Sequence, residues 1–481
     1  MPTLRALRLL NAVEAGTVTG TQLQTYLSDT GRASEFSSLL SSRGQSRRMA
    51  GSTLTMTAIA ASLNASNIVF KAATTSTCAA CQGVVASPIA MAAVAASIPS
   101  LSVLAANPVS WALFNSSSYY EPNIKVVVAN YAGVTPANYA SVDALIADSV
   151  SMAAIAAAPN AMAAVVASPN ATTLMSANSA AMALVASNAV AIEIVAKQTA
   201  AMSIIAGSPA AMSEINSRSA AVAKMALYPG AISAIAGSST GWAGYMAGPY
   251  FAANLPTVLA NLIGVSPGAF PTLSSIIASA TALALVAKST SATQALASNS
   301  AAMSALAVSP NIGIVLGSSI AMAVIGPNST AMASFLGASG AWDGLFASSV
   351  AKGYIMASTA LIDSIAGNSL LITYLKAKSV TAAATGVPDG NASSQQAWPG
   401  LPAKLITLSA KEVGIAATYS NYNFGGAAMT GSQAGATLSL SGTGPGGQPV
   451  HVAGYTGMTW NFQGVGVTAA TLPIITYFDM T

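Results

Sequence analysis

The chain has 481 residues, of which 53% are hydrophobic and only 6% are charged, and its formal net charge is +4. An average soluble domain carries about 25% charged residues, so this shortage is typical of a chain that works inside an assembly. A membrane span needs about 20 consecutive apolar residues. Stretches such as 179–192 are interrupted by Ser187 and Asn188, so no membrane span is predicted. Nucleic-acid binding needs a basic face interleaved with aromatic residues, which the sequence does not offer.

Residues 1–50 are predicted to form an N-terminal helical attachment segment. Leu4, Leu7, Leu10 and Val13 share one helix face, and Gly16 ends the run. Two further short helices are predicted at 23–27 and 36–40, followed by a hinge or contact loop at 43–48. The arginines are mixed with acidic residues, which favours a docking surface or a solvated helical face. The candidate docking residues are Arg5, Arg8, Arg43, Arg47 and Arg48.

Residues 51–138 are predicted to be an irregular Ala/Ser-rich region that contains both cysteines, Cys78 and Cys81. A zinc site needs four ligands, and the one histidine, His451, is far away in sequence. A redox motif would need a thioredoxin-like context, which is absent. The favoured interpretation is two small thiols in a packed turn, while a disulfide or an inter-chain metal cluster stays open. No metal or cofactor is predicted.

Residues 139–388 contain a repeat with a period of ten, as in PNAMAAVVAS from Pro159 and TAAMSIIAGS from Thr199. It extends back to Tyr139, and an isolated copy begins at Ser87. An irregular insert near 249–278 separates two arrays. The repeat is then predicted to resume in the same phase at Ser279, with Met303 one place late, and to continue to about Lys378.

Each unit is predicted to be a helix of about two turns. Position ten is often Ser or Asn, which cap helix N-termini, and position one is often Pro, which suits the first helical residue. Positions four, seven and eight are apolar, as in Met162, Val165 and Val166. Such short helices must stack on their neighbours, so the predicted fold class is mainly α, with a solenoid-like array. In-phase prolines oppose one long helix, and the Ala and Met content opposes a β-solenoid.

Residues 389–481 are predicted to form a small antiparallel β domain, because alternating β-branched and aromatic segments are separated by glycine-rich turns. Its aromatic residues are candidates for receptor binding, with core packing as the alternative, favoured for Trp460 and Phe462. The glycine-rich loop 442–447 and the segment 419–424 are the better receptor candidates, because loops commonly carry recognition. The receptor-binding candidates are Tyr419, Tyr422, Phe424, Tyr455 and Trp460.

The sequence offers few residues for catalysis, and no catalytic residue is predicted. His451 is the single histidine, and the thirteen acidic residues are scattered. One match to a nucleophile elbow occurs at 237–241, but it follows a helical repeat instead of a strand. These observations favour a structural protein over an enzyme.

Three segments resemble phage tail-fibre and related virion proteins: AMAAVAAS at 90–97 with its echoes from Ala161, LRALRLLNAVEAGTVTG at 4–20, and YSNYNFGG at 419–426. The resemblance implies a structural component of a virion, made in the host cytoplasm. Its N-terminus would dock to other virion proteins, and its C-terminal domain would assemble or contact a host glycan or protein. Association with other copies of itself is implied, with a trimer by analogy. The alternatives are a cellular S-layer-like adhesin and a baseplate or head-associated virion protein.

Overall fold

The computed structural model describes residues 2–35, 37, 43–71, 79–383, 394–397, 402–411, 419–430, 453–464 and 474–481. It divides into two compact units, residues 1–254 and 255–481. Both consist mainly of short helices in a repeated array, and the second also carries an antiparallel sheet near the C-terminus. The predicted fold class is therefore confirmed.

The first unit is entirely helical in its described residues and contains one 3-10 helix, Pro136–Asn138. Its α-helices are Pro2–Glu14, Gly20–Ser28, Thr30–Glu35, Arg43–Ala50, Thr53–Ala61, Leu63–Phe70, Ala79–Val85, Pro88–Ala95, Ile98–Ala105, Pro108–Asn115, Tyr120–Ala132, Val142–Ala147, Ser149–Ala157, Pro159–Ala167, Pro169–Ala177, Ser179–Ser187, Ala189–Lys197, Thr199–Ala206, Pro209–Asn216, Ser219–Ala226, Pro229–Ala236 and Ser239–Ala247.

The boundary between the units falls inside the helix Phe251–Leu262, and two 3-10 helices, Pro267–Ala269 and Ser339–Ala341, belong to the second unit. The remaining α-helices of this unit are Leu273–Ala278, Ala280–Val286, Thr290–Ala297, Ser300–Ala307, Ile312–Leu316, Ser319–Ile325, Ser329–Leu336, Trp342–Ala347, Ser349–Met356, Thr359–Ala366 and Ser369–Ala377.

The decapeptide helices form a solenoid with three helices per turn. Consecutive helices, such as Ser179–Ser187 and Ala189–Lys197, meet at a bend of 103°. After three such bends the chain runs again in nearly its original direction. Each helix therefore packs on the third helix after it. Pro159–Ala167, for example, packs on Ala189–Lys197. One turn of the solenoid therefore corresponds to three decapeptides.

The interior of the solenoid is lined by four positions of each decapeptide. In the unit that begins at Ser179, they are Ala181, Met182, Val185 and Ala186, all at most 3% exposed. The predicted apolar positions four, seven and eight are confirmed, and position three joins them as Ala. Small residues at positions three and eight allow the helices of successive turns to approach closely. The core of the array is therefore buried by side chains of a single chain.

The cap residues were predicted correctly. Asn178 accepts a hydrogen bond from the backbone N–H of Ala181, and Ser168 does the same for Ala171. Proline stands at the start of helices such as Pro169–Ala177. Some units lack a side-chain cap, as at Ala158 and Gln198. Stacking on neighbouring turns therefore holds these helices together without every cap being present.

The described part of 51–138 differs from the irregular region expected there. It consists of helices whose caps follow the same spacing, including Ser52, Ser62, Ser87 and Ser97, so the copy at Ser87 is not isolated. The expected hinge or loop at 43–48 is also wrong, because Arg43–Ala50 is a helix that buries Met49 and Ala50. Burial of its apolar side stabilises this helix, although its mostly polar sequence did not indicate one.

The second array starts one residue out of phase with the first. Its early caps are Ser279, Ser289 and Asn299, whereas later caps such as Ser318 and Asn328 return to the phase of Asn178. The nineteen residues between Asn299 and Ser318 replace the twenty of two full units. The predicted continuity of phase is therefore wrong between 279 and 309, and the late Met303 was its visible sign.

Two interruptions of the array are copies of one another, 131 residues apart, and we call them the first and second joints (residues 107–147 and 238–278). Both contain a long helix, a left-handed glycine with φ of 71°, a 3-10 helix and a short helix. The glycines are Gly133 and Gly264, within the matching sequences ANYAGVTP and ANLIGVSP. The predicted insert is therefore an ordered element that occurs twice.

Each joint contains the same cluster of three aromatic rings. In the first joint, Trp111 stacks on Phe114 with ring centroids 6.0 Å apart, and both meet Tyr120 edge to face. In the second joint, the equivalent stacked pair is separated by 6.2 Å, and Phe251 takes the place of Tyr120. Aromatic packing of this kind adds stability beyond the area buried. The clusters anchor the long helices where the decapeptide stacking is interrupted.

Within the part of the chain that the structure describes, the sheet of the second unit has six strands, all paired antiparallel: β1 (Val380–Ala383), β2 (Ser394–Ala397), β3 (Lys404–Lys411), β4 (Tyr419–Thr430), β5 (Ala453–Gly464) and β6 (Ile474–Asp479). The order is β1-β6-β3-β5-β2, and β4 pairs with the other edge of β5. The sheet thus begins at Val380, before the predicted turn at 387–391.

Candidate functional site

The predicted docking arginines lie on two N-terminal helices, but they differ in what they contact. Arg48 donates from its Nε to Glu14 at 2.6 Å and also hydrogen-bonds Asn11, which joins Arg43–Ala50 to Pro2–Glu14. Arg5 lies 3.9 Å from Glu35 and is largely exposed. Arg8 and Arg47 are exposed, and Arg43 begins its helix. Arg48 therefore has a structural role, whereas Arg8 and Arg47 are available at the surface.

A tyrosine and a carboxylate hold the N-terminal helices in place beside Arg5. The hydroxyl of Tyr26 donates to Glu35, and the guanidinium of Arg32 lies 5.6 Å from the centre of the tyrosine ring. Burial and the neighbouring carboxylate raise the pKa of Tyr26 to about 12. The phenol therefore stays protonated at neutral pH and acts as a hydrogen-bond donor.

Charged residues of the first array form compact groups that link successive turns. Glu193 accepts from Lys197 on its own helix and from Lys224 on the helix one turn later, both at 2.7 Å. The hydroxyl of Tyr228 donates to the same carboxylate at 2.9 Å. These three donors lower the pKa of Glu193 to about 2. The group has the properties of a structural ion cluster, since one carboxylate joins two lysines and a tyrosine from successive turns.

The last turns of the second array are closed by the C-terminal strand. Lys352 occupies position four of its unit, where other units carry a buried apolar residue, and its ammonium group hydrogen-bonds the backbone oxygen of Thr481. The ring of Phe346 meets Phe478 of β6 edge to face at 5.2 Å. Met480 is 2% exposed. The end of the β sheet therefore takes the place of the next solenoid turn, as the ends of repeat arrays require.

The strand register places the five predicted receptor residues on β4 and β5. Phe424 pairs directly with Trp460, and Tyr422 pairs with Phe462. These four residues lie on one face of the sheet, because they occupy alternate positions of two paired strands. Tyr455 is an odd number of residues from Trp460 and belongs to the opposite face.

Tyr419 lies at the end of β4, where the register shifts between residues 419 and 421. The five predicted receptor residues therefore do not form one cluster: three share a face, one lies on the other face, and one lies at an irregular strand end.

The face that carries Trp460 also carries Phe478, whose ring contacts Phe346 of a helix. Phe478 contacts Phe346 and pairs with Ile406, and Ile406 pairs with Gly454. Paired residues share a face, and Gly454 and Trp460 are an even number of residues apart on β5. Trp460 and Phe462 therefore share a face with Phe478, and their interpretation as core residues stays a prediction.

The serine of the apparent nucleophile elbow, Ser239, is the first residue of the helix Ser239–Ala247, and a helix precedes it. The neighbouring Ser238 caps this helix by accepting from the N–H of Gly241 at 3.1 Å. The motif therefore serves as a helix start. Cys81 is buried and disulfide-bonded, whereas Cys78 and His451 lie outside the described residues.

No single described helix is long and apolar enough to cross a membrane, although six bent pairs of consecutive helices reach that length and composition together. Comparison with known proteins found no matching family model and no match among curated proteins.

Proposed function

We propose that the chain is a structural component of a phage virion, namely a tail fibre that docks through its N-terminal helices and exposes its C-terminal sheet. The observation that carries the proposal is the closed decapeptide solenoid, which grows along one axis by adding turns and ends on a sheet. A repeat of this kind supplies length and stiffness, because each turn contacts only its neighbours.

The N-terminal segment supplies the docking surface in this proposal. Arg8 and Arg47 are exposed on separate helices that Arg48 holds together through Glu14. Exposed guanidinium groups suit an acidic patch on another virion protein, because they form bidentate bonds to carboxylates. Replacing Arg8 and Arg47 by Glu is expected to weaken docking, with Arg8→Lys and Arg47→Lys as the matched control.

Self-association has a different basis from the one that the composition implied. The array core is closed within one chain, so three chains are not needed to bury it. Ile320 and Val350 are thirty residues apart, each at the second residue of its helix, and remain 43% and 40% exposed. They therefore recur at one position of successive turns. A trimer, expected by analogy, would use an outer surface such as this column.

The proposal is tested by measuring the mass of the full-length chain by light scattering and its shape by negative-stain microscopy. A fibre component is expected to give an elongated particle with a distinct C-terminal end. A compact particle would contradict the tail-fibre assignment and favour a baseplate protein. A flat lattice would instead favour an S-layer-like adhesin.

A further inference from the structure

The first joint is tied to the preceding turn by hydrogen bonds from side chains. The hydroxyl of Ser117 donates to the backbone oxygen of Val85 at 2.6 Å, and the hydroxyl of Tyr131 donates to the backbone oxygen of Leu101 at 2.7 Å. The partners are 32 and 30 residues apart, which corresponds to one turn of the solenoid. Because a hydrogen bond constrains both distance and direction, these bonds fix the position of the joint on the turn before it.

The long helix of the first joint, Tyr120–Ala132, is also tied to helices that follow it. The hydroxyl of Tyr120 donates to the backbone oxygen of Ala164 at 2.9 Å, and the hydroxyl of Ser168 donates to the carboxylate of Glu121 at 2.7 Å. Tyr120 and Glu121 begin this helix, whereas Tyr131 lies near its end. The helix is therefore held at both ends by polar contacts with other turns.

The second joint has the same order of helices but lacks most of these polar side chains. Equivalent residues of the two joints are 131 positions apart. In chain order, Ser117, Tyr120, Glu121, Lys125 and Tyr131 are replaced by Gly248, Phe251, Ala252, Pro256 and Leu262. None of the five replacing side chains contains a hydrogen-bond donor or acceptor. The bonds that hold the long helix of the first joint therefore cannot form in the second.

The second joint retains the aromatic cluster and the apolar packing. Leu255 and Val258 of its long helix are at most 1% exposed. Asn261 keeps the amide of Asn130, and the hydroxyl of Tyr245 donates to the backbone oxygen of Val222 at 3.3 Å. Apolar contacts are non-directional, so they permit small rotations that a set of hydrogen bonds resists. We therefore expect the second joint to hold its long helix less rigidly than the first.

The boundary between the compact units falls in the same place. It lies between Asn254 and Leu255, inside the long helix of the second joint, whereas the first joint lies wholly within the first unit. Two residues after Asn254, Pro256 removes one backbone N–H donor from the helix. The loss of side-chain bonds, the loss of a backbone bond and the unit boundary therefore coincide in one helix.

We propose that the second joint is a hinge of the solenoid, at which the helix Phe251–Leu262 shifts against its neighbours while the decapeptide arrays stay rigid. The first joint, by contrast, is a rigid connection built on the same sequence pattern. This inference goes beyond the proposed function and does not depend on the virion assignment. For a fibre, it means stiffness along each array and bending at one defined position.

The test compares the two joints within the full-length chain by double electron–electron resonance between spin labels. One variant carries the labels on Ser102→Cys and Ala157→Cys, and the other carries them on Ser233→Cys and Lys288→Cys. All four residues are exposed, and each pair brackets one joint at equivalent positions, 131 residues apart. Cys81 is disulfide-bonded and is not expected to take up label.

The distance distribution across the second joint is expected to be at least about twice as wide as that across the first, because bending adds to the spread of the labels themselves. Both pairs carry the same label on exposed residues, so the first joint serves as the matched control. Equal widths, or a wider distribution across the first joint, would overturn the hinge.

A second variant tests whether the polar bonds cause the difference. Ser117→Gly, Tyr120→Phe and Tyr131→Leu together give the first joint the residues of the second, and they are expected to widen its distance distribution towards that of the second joint. Far-UV circular dichroism shows whether this variant is folded. Should it unfold, Tyr131→Phe replaces it, because this change removes one hydroxyl and keeps the ring. An unchanged width in the folded variant would also overturn the inference.

Discussion

The hydroxyl of Ser208 donates to the backbone oxygen of Ser176 at 2.6 Å, thirty-two residues earlier in the chain. The hydroxyl oxygen of Ser208 also accepts from the backbone N–H of Ala211 at 3.3 Å and so caps the helix Pro209–Asn216. One small side chain therefore starts its own helix and satisfies the end of the helix beneath it. The arrangement recurs where Ser238 bonds Ala206 and where Ser318 bonds Ala287. Position ten of the repeat thus joins successive turns as well as separating successive helices.

Replacing Ser208 by Ala is expected to lower the free energy of unfolding more than the loss of an ordinary cap does. Loss of the cap costs about 1 kcal/mol, and the unsatisfied carbonyl of Ser176 adds about 1 kcal/mol. Ser203→Ala is the control, because this exposed hydroxyl bonds only the backbone of its own helix, at Thr199. Urea denaturation of both variants measures the difference. Equal stabilities for the two variants would show that the bond between turns contributes nothing.

Much of the array follows from the sequence, and its limits have physical reasons. Caps, prolines and apolar positions act within ten residues, so Met162 indicated the helix Pro159–Ala167 and Ser168 indicated the start of Pro169–Ala177. The number of helices per turn depends on bends of 101–104° between helices in the first array, which no local signal specifies. Residues 51–138 were missed because few of their units carry the Ala-Met-Ala pattern, although Ser52 and Ser62 kept the spacing.

The repeated joint was visible in the sequence but was treated as an irregular insert. ANYAGVTP and ANLIGVSP differ at three of eight positions, and each follows a tryptophan at position four of its unit. The match appears only when residues 131 positions apart are compared. At shorter separations, the similarity between decapeptide units is the main signal. The sequence contained less information about which residues share a face of the sheet. Alternation favoured core packing for Trp460 and Phe462, which stays a prediction, and the pairing of Asn423 with Asn461 depends on strand partners that are distant in sequence.

Close packing of two helices in the second array requires glycine at Gly326. A Cβ atom placed there would lie 2.1 Å from the ring of Tyr354, on the helix one turn later. Gly326→Ala is therefore expected to destabilise the chain by about 1–3 kcal/mol through overpacking. The control is Gly353→Ala, because a Cβ there meets no atom within 4 Å and alanine favours the helix. Thermal unfolding should show a lower melting temperature for Gly326→Ala but not for Gly353→Ala. An unchanged melting temperature for Gly326→Ala would show that the Tyr354 ring moves aside without loss of stability.

The ion cluster around Glu193 predicts a dependence of stability on pH. The pKa of Glu193 falls from 4.5 to about 2 in the folded chain, so the folded state favours the ionised carboxylate. The resulting stabilisation is complete above pH 4.5 and is lost as the pH falls towards 2. Glu193→Gln should remove this pH-dependent contribution to the free energy of unfolding.

The melting temperatures of the wild type and Glu193→Gln, measured between pH 2 and pH 7, provide the test. The wild type is expected to be more stable at pH 7, and the difference should vanish near the lower end of the range. High salt should also reduce the difference, because the charges are partly exposed and therefore screened. A difference that stays constant from pH 7 to pH 2 would show that Lys197, Lys224 and Tyr228 do not act through the carboxylate charge.

The two joints offer a comparison of a proline and a lysine at equivalent sites. Pro256 lies inside the helix Phe251–Leu262, where it removes one backbone hydrogen bond. The equivalent residue of the first joint is Lys125, whose ammonium group donates to the carbonyl of Tyr139 at 2.8 Å. Pro256→Ala is expected to stabilise the helix by about 1–3 kcal/mol, since it restores the missing N–H donor.

Lys125→Pro is the reciprocal variant and should destabilise the first joint by about 3 kcal/mol or more, through loss of both the backbone bond and the bond to Tyr139. Thermal unfolding of the two variants measures both effects. A lower melting temperature for Pro256→Ala would mean that the backbone geometry at the proline is required for Leu255 and Val258, both at most 1% exposed, to reach their buried positions. In that case the joints would differ in helix geometry despite their common sequence pattern, and the second joint would depend on proline as the first depends on its lysine.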